Sequence, residues 1–231
     1  LTPLAMILYE RVADAMDAVV AAYPDDDFIA SLSAEANMDV EPWDYWMSDG
    51  RTPKSRAGKT MSMLEAVLAR SPNYQPAIHL YIHMTEATAN PYRAVEPAAR
   101  LGALTPGLGH LIHMPSHTWS RIGRYKQSLR ENISAVEADE AFLARPGDAS
   151  PMYEYGYYVH NVHFVMTSAF MAGDGATAVA MAEKLDKKVA INGRSMKDNV
   201  EIAKNLGYMK FKKENVIAVE EVNRHKDNKV L

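Results

Sequence analysis

The sequence predicts an all-α protein, an α-solenoid of stacked antiparallel helix pairs. Three observations predict it. Apolar residues recur at helical spacing through nearly all of the 231 residues, and no segment alternates as a strand does. The chain also resembles itself when slid by 34 residues, which lays Pro72 on Pro106, Ile78 on Ile112, His79 on His113 and His83 on His117.

The elements follow in order. Residues 4–22 carry apolar positions on one helical face and stop before Pro24. Asp25 to Asp27 can cap a second helix over 27–38, which ends at the loop around Pro42, Trp43 and Trp46. A Gly-, Pro- and Ser-containing stretch, 48–55, leads to a helix over 56–70. Pairs come next: 74–88 with 91–103, parted by Asn90-Pro91, and 107–122 with 124–143, parted by Gly123. A loop over 145–152 precedes 153–172 and 175–190, parted by Gly173-Asp174-Gly175. Pro115 lies inside the 107–122 segment, where it removes the hydrogen bond to the Leu111 carbonyl and should kink the helix. The expected organisation is a helical repeat domain over 1–190 and a basic helical tail over 191–231.

Composition excludes several classes. Forty-eight per cent hydrophobic residues are too many for a disordered chain. No apolar run approaches the ~18 residues of a membrane span. Zero cysteines exclude disulfides, iron–sulfur clusters and thiolate zinc. The net charge of −4 gives no general argument for nucleic acid, so none is expected as a partner. The charge is uneven, however. Residues 1–183 hold 13 Lys and Arg against 22 Asp and Glu, and residues 184–231 hold 12 against 7. The basic end (Lys210, Lys212, Lys213, Arg224, Lys226 and Lys229) reads as a solvated face or a contact for an acidic partner. The expectation is a soluble protein, cytoplasmic or periplasmic, whose first residue here, Leu1, is not the true N-terminus. Its oligomeric state is left open.

Seven of the eight histidines fall in three short windows. The first is His79-Leu-Tyr-Ile-His83 with Glu86 beyond it. The second is His110-Leu-Ile-His113-Met-Pro-Ser-His117, and the third is His160-Asn-Val-His163. Offsets of three, four and seven place each set on one helix face. Imidazole is the commonest metal ligand at neutral pH, and packed helices approach to about 8–10 Å, so side chains of neighbours can meet at one ion. Metal binding is therefore the leading expectation, with a metal-free histidine groove or simple packing as alternatives. The count exceeds one tetrahedral ion, so two ions, or one ion with spare histidines for proton transfer, fit it better. Without Cys the candidate metals are divalent or redox transition ions: zinc, copper or iron, with nickel also open. His79 and His83 have the spacing of the H-E-x-x-H motif, but position 80 is Leu, so its general-base Glu is missing. Met84 and Met114 beside the histidines read as core fillers before copper ligands. Trp43, Asp44, Tyr45 and Trp46 read as a plug for the first turn of the solenoid, or else as a groove wall.

Thirty-four residues is the tetratricopeptide period, one helix–turn–helix per repeat, and Gly123-Arg124-Tyr125 and Leu104-Thr105-Pro106 suit that unit. The segments YPDDDFIASLSAEANMDVEPWDYW (23–46), HLYIHMTEA (79–87), RLGALTPGLGHLIHMPSH (100–117), GRYKQSLRENISAVEAD (123–139) and YYVHNVHF (157–164) resemble a family of bacterial tetratricopeptide-repeat proteins of uncharacterised activity. The resemblance spans about residues 9–190. It implies that these histidines, the following Glu and the Trp-Asp-Tyr-Trp loop are shared, and that the chain is the C-terminal part of a longer solenoid.

The expected metal ligands are His79, His83, His113, His117, His160 and His163, with Glu86, His110 and Tyr157 in catalytic roles. The expected function is a metal-dependent enzyme, hydrolytic or redox, acting on a small molecule in the concave groove. The alternative is a non-catalytic scaffold that binds a peptide or protein partner.

Overall fold

The computed structural model describes residues 3–147 and 149–190. The basic end of the chain, with its six named cations and His225, lies outside the described residues. Among the described residues ten α-helices follow one another: α1 (Pro3–Ala22), α2 (Asp27–Val40), α3 (Ala57–Arg70), α4 (Gln75–Glu86), α5 (Val95–Leu104), α6 (Gly109–His113), α7 (Pro115–Arg121), α8 (Tyr125–Leu143), α9 (Tyr158–Ala172) and α10 (Gly175–Ala190). Among the described residues the one extended pairing is an isolated bridge between Trp46 and Pro53. The described residues are all-α, as the periodicity predicts.

Local chemistry sets the ends of these helices. Asp26 caps α2 by accepting from the Ile29 amide at 2.9 Å. Gly173, at φ 79°, takes the left-handed turn that closes α9. Asp174 then caps α10, accepting from the Thr177 amide at 3.1 Å. Three boundaries differ from expectation. The 91–103 segment opens as a 3-10 turn, Pro91–Ala94, and the last pair opens as a π-helical turn, Tyr153–Tyr157. The expected kink at Pro115 is a full break: α6 ends at His113, and the His117 amide reaches back only to the Met114 carbonyl at 3.2 Å.

Successive helices pack on one another, α1 on α2, α2 on α3, α3 on α4, α4 on α5, α8 on α9 and α9 on α10. The broken α6–α7 segment lies between the two halves. Its α7 packs on α4 and α8, and its α6 packs on α8 and α9. One apolar core joins α2 to α5 and includes Leu64, Ile78, Ile82, Met84, Leu101, Met114 and Trp119; a second joins α8, α9 and α10 through Val162, Val165 and Ala169. Met84 and Met114 are fully buried in the first, which is the core-filling role expected of them. No described helix is long and apolar enough to cross a membrane.

Candidate metal centre

The two cores leave a polar seam between them, and the histidines fill it. Helix α4 supplies His79, His83 and Glu86 at i, i+4 and i+7, so all three share one face. Helix α6 supplies His110 and His113, α7 supplies His117, and α9 supplies His160. Because α6–α7 is flanked by α4 and α9, its histidines bridge the others. His79 and His110 lie 5.2 Å apart between ring centroids, His83 and His117 5.1 Å, and His113 and His160 4.7 Å. Gly109 lets α6 sit this close to α8. A Cβ there would overlap the Asp139 carboxylate and lie 2.9 Å from the Ala135 carbonyl. Asp139 cannot yield easily, since it accepts from Tyr153 at 2.6 Å and Asn161 at 2.7 Å.

Hydrogen bonds fix which ring nitrogens carry protons. The Asn132 amide group donates to the Phe164 carbonyl at 3.4 Å and to Ser168 at 3.0 Å, which turns its oxygen toward His113. His113 Nδ1–H therefore donates to Asn132 Oδ1 at 2.6 Å, and its Nε2 keeps a lone pair. Glu86 accepts from His117 Nδ1–H at 2.8 Å and from His83 Nδ1–H at 2.9 Å, so in the neutral form of each ring the lone pair is on Nε2. Yet His113 Nε2 and His117 Nε2 face each other at 2.9 Å, and His160 Nε2 lies 3.0 Å from His113 Nε2. Two acceptors at that distance repel unless a proton or a metal ion stands between them.

Electrostatics point the same way. Burial, and then the neighbouring imidazoles, hold His79, His113 and His160 well below the ordinary histidine range, and His110 is pushed down to about 3. Burial lowers His83 as well, against the pull of Glu86. Burial alone would push the Glu86 carboxyl up. His117 and His83 outweigh it and hold the group well below the usual carboxylate range. Burial thus favours the neutral form of His79, His83, His110, His113 and His160, which surround one carboxylate. Three groups bring ligand atoms within 4.8 Å of one another: His113, His117 and His160; His79, His83 and His110; and His83, Glu86 and His117. These residues fit a divalent metal ion.

The expected site residues are distributed unevenly. The fold brings together His79, His83, Glu86, His110, His113, His117 and His160. His163 falls in none of the three groups, and its buried Nε2 has no hydrogen-bond partner. Tyr157 lies 4.7 Å from His110 between ring centroids, at the edge of the cluster. The sequence reading missed Asn132, which sets the His113 tautomer. Its signal was present: Ser128, Asn132 and Asp139 lie on the buried face of α8, where an ordinary amphipathic helix places apolar residues.

An open pocket of about 570 Å³ reaches the cluster at His83, Glu86 and His117. Trp43, Tyr45, Tyr125 and Phe164 supply aromatic walls, and Arg121 supplies a cation. The Trp43–Trp46 loop is both plug and wall. Trp46 donates from Nε1 to the Met84 carbonyl at 2.8 Å, and Tyr45 is buried. Trp43 is 49% exposed, stands edge-on to His83 at 4.6 Å, and adopts φ 65°, a left-handed conformation costly for a bulky residue.

Comparison with known proteins gives a direction the histidines do not. The family model "Ribonuclease J, beta-CASP domain" matches residues 175–231, less than half of the chain. Ribonuclease J of Corynebacterium glutamicum is 34% identical over 101 residues, 43% of this chain. The chain covers 13% of that relative's length. No solved structure matches.

These matches overturn four expectations. The resemblance to a tetratricopeptide-repeat family is not sustained, because the similarity found is to ribonuclease J. A 34-residue offset reports the size of a helix–turn–helix pair, which unrelated helical proteins share, so it measures geometry before descent. The small-molecule enzyme and the non-catalytic scaffold fall with it, and so does the exclusion of nucleic acid. A net charge of −4 concealed the excess of cations over 184–231, where the family model matches.

Proposed function

We propose that this chain is part of a zinc-dependent phosphodiesterase acting on single-stranded RNA, with His113, His117 and His160 as the zinc ligands. The observation that carries the reading is the pair of Nε2 atoms, of His113 and His117, facing each other at 2.9 Å beside an open, aromatic-walled pocket. Three imidazoles with a further open position are a ligand set of catalytic zinc. A divalent ion so held supplies Lewis-acid polarisation of a phosphoryl oxygen and acidifies water near neutrality. Copper and iron would meet the same nitrogens, but hydrolysis needs no redox change.

The chain's own residues supply the rest. Asn132 and Glu86 orient His113 and His117 by holding their Nδ1 protons, the supporting role that metal-ligating histidines require. Arg121 offers a fork of donors to a phosphate, and Trp43 and Tyr125 offer ring surface to bases, the combination by which single strands are held. In this reading the stacked helices of the described residues form a solenoid that frames the site, and the excess of Lys and Arg over 184–231 favours a polyanionic substrate. The similarity to ribonuclease J supports RNA as the substrate.

Incubation of the purified chain with a labelled single-stranded oligoribonucleotide tests the proposal. Cleavage should appear with zinc, stop with EDTA and return on adding zinc back. Absence of cleavage with zinc, manganese and cobalt(II) alike would overturn it.

A further inference from the structure

The first histidine group does not use the whole seam. His79, His83 and His110 form a second group, on the other side of Glu86, with ligand atoms within 4.8 Å of one another. His79 Nε2 and His110 Nδ1 are buried and have no hydrogen-bond partner. A buried ring nitrogen in a native interior is ordinarily paired, with protein, water or metal. The two orphans are not scattered: their rings are 5.2 Å apart, and the His79 ring is 5.0 Å from that of His83. His83 commits its Nδ1–H to Glu86, which leaves its Nε2 to accept a cation.

We infer that the chain holds a second divalent ion, at His79, His83 and His110, and that Glu86 is the positioning residue that couples it to the first. Each carboxylate oxygen of Glu86 accepts from one ring, Oε1 from His83 and Oε2 from His117. One residue thus fixes the tautomer of a ligand in each group. A shift of Glu86 toward one ring loosens the other, so the two ions influence each other without sharing a protein ligand. The inference deepens the metal-dependent reading above and rests on it. It does not depend on which substrate is cleaved.

Metal stoichiometry separates the two. The EDTA-stripped chain is titrated with zinc, read by elemental analysis after gel filtration, and with cobalt(II), read by its visible absorption. Two equivalents are expected for the native chain. His79→Ala and His110→Ala should each retain one equivalent, and His113→Ala should retain the other, with a different cobalt spectrum. Glu86→Gln, which presents an N–H where one ring already donates, should weaken both ions, by about ten- to a hundredfold each. One equivalent in the native chain, lost in His113→Ala and unaffected by His79→Ala, would overturn the second centre and leave the proposed function standing. No ion at all would overturn both. If an Ala variant loses its helical circular dichroism, the native-chain stoichiometry decides alone.

Discussion

Among the described residues, a half-exposed ion-pair network and the buried histidine seam are built on opposite principles. Between α1, α2 and α3, Asp17 accepts from Asn37 at 2.9 Å and Ser33 at 3.1 Å, and pairs with Arg56 and Lys59. Arg56 also donates to Asn37 Oδ1 at 2.9 Å and pairs with Asp14. Anions there meet cations, and donors meet acceptors. The histidine seam has the reverse character: an anion, imidazoles packed against one another and ring nitrogens aimed at one another. The first cluster is complete as it stands, which is what a structural network requires. The second lacks such pairing, and the proposed metal ions would supply it. An unpaired buried polar group costs about 1–3 kcal/mol, and the seam holds several.

Substitution in each cluster should therefore fail differently, and the largest effect is expected at His113. His113→Ala removes the ring that touches both His117 and His160. It should abolish RNA cleavage, with a loss of at least about a hundredfold given that even supporting residues of a metal site cost ten- to a hundredfold. Thermal stability of the metal-free protein should change little or rise, because a repulsive contact is gone. Asn37→Ala should do the opposite. It leaves Arg56 short of a partner and should cost about 1–3 kcal/mol in denaturant unfolding, with zinc content and cleavage unchanged. A parallel loss of metal in both variants would erase the distinction between the clusters.

Acid should separate the two regions next. In the metal-free protein, His79, His110, His113 and His160 are neutral well below 6.5, whereas the unfolded chain takes up protons as pH falls through 6.5. The unfolded state then binds more protons, so stability is full above that pH and falls below it, by about 1.4 kcal/mol per pH unit for each such imidazole. Glu86 adds to this at lower pH, since its stabilisation is present above 4.5 and is lost as pH falls toward its depressed value. Burial raises Asp17, but Lys59 and Asn37 lower it further, so its contribution persists until pH falls below 3.8. Thermal unfolding in EDTA from pH 7.5 to 5 should therefore show a steep decline owed to the seam. His113→Ala should flatten it and Asn37→Ala should not.

The sequence revealed the two clusters unequally. The histidine windows were legible because offsets of three and four on a helix put side chains on one face, whatever the tertiary fold. The break at Pro115 was legible as a kink, since the missing amide proton is a local fact. What was not legible was the division of labour. That Glu86 serves His83 and His117 through Nδ1 depends on α4 meeting α7, a contact between residues 31 apart in the chain. Asn132 and Arg56 were invisible for the same reason. His163 shows the limit from the other side: three residues beyond His160, it shares that helix face in projection, and the fold still leaves it out of the ligand groups. The similarity to ribonuclease J lay where periodicity says least, toward the basic end.

The smallest expected effect concerns the pocket wall, and it tests whether the seam serves RNA at all. Arg121 lies at the pocket without being a ligand of either group. If it contacts a phosphate, Arg121→Ala should weaken binding of a 2′-O-methyl oligoribonucleotide about equally across sequences and reduce the slope of log affinity against log salt by about one. Trp43→Ala should instead remove a stacking surface, costing about 1–3 kcal/mol with the salt slope unchanged. Trp43→Gly should also relieve the left-handed backbone, whose strain comes from the Cβ that alanine would keep, so that this variant is at least as stable as the native chain while binding RNA less well. Stability without binding is what a residue strained for a ligand should show. Equal binding in both alanine variants, measured by fluorescence anisotropy, would remove RNA from the pocket and leave the seam a metal centre that acts elsewhere.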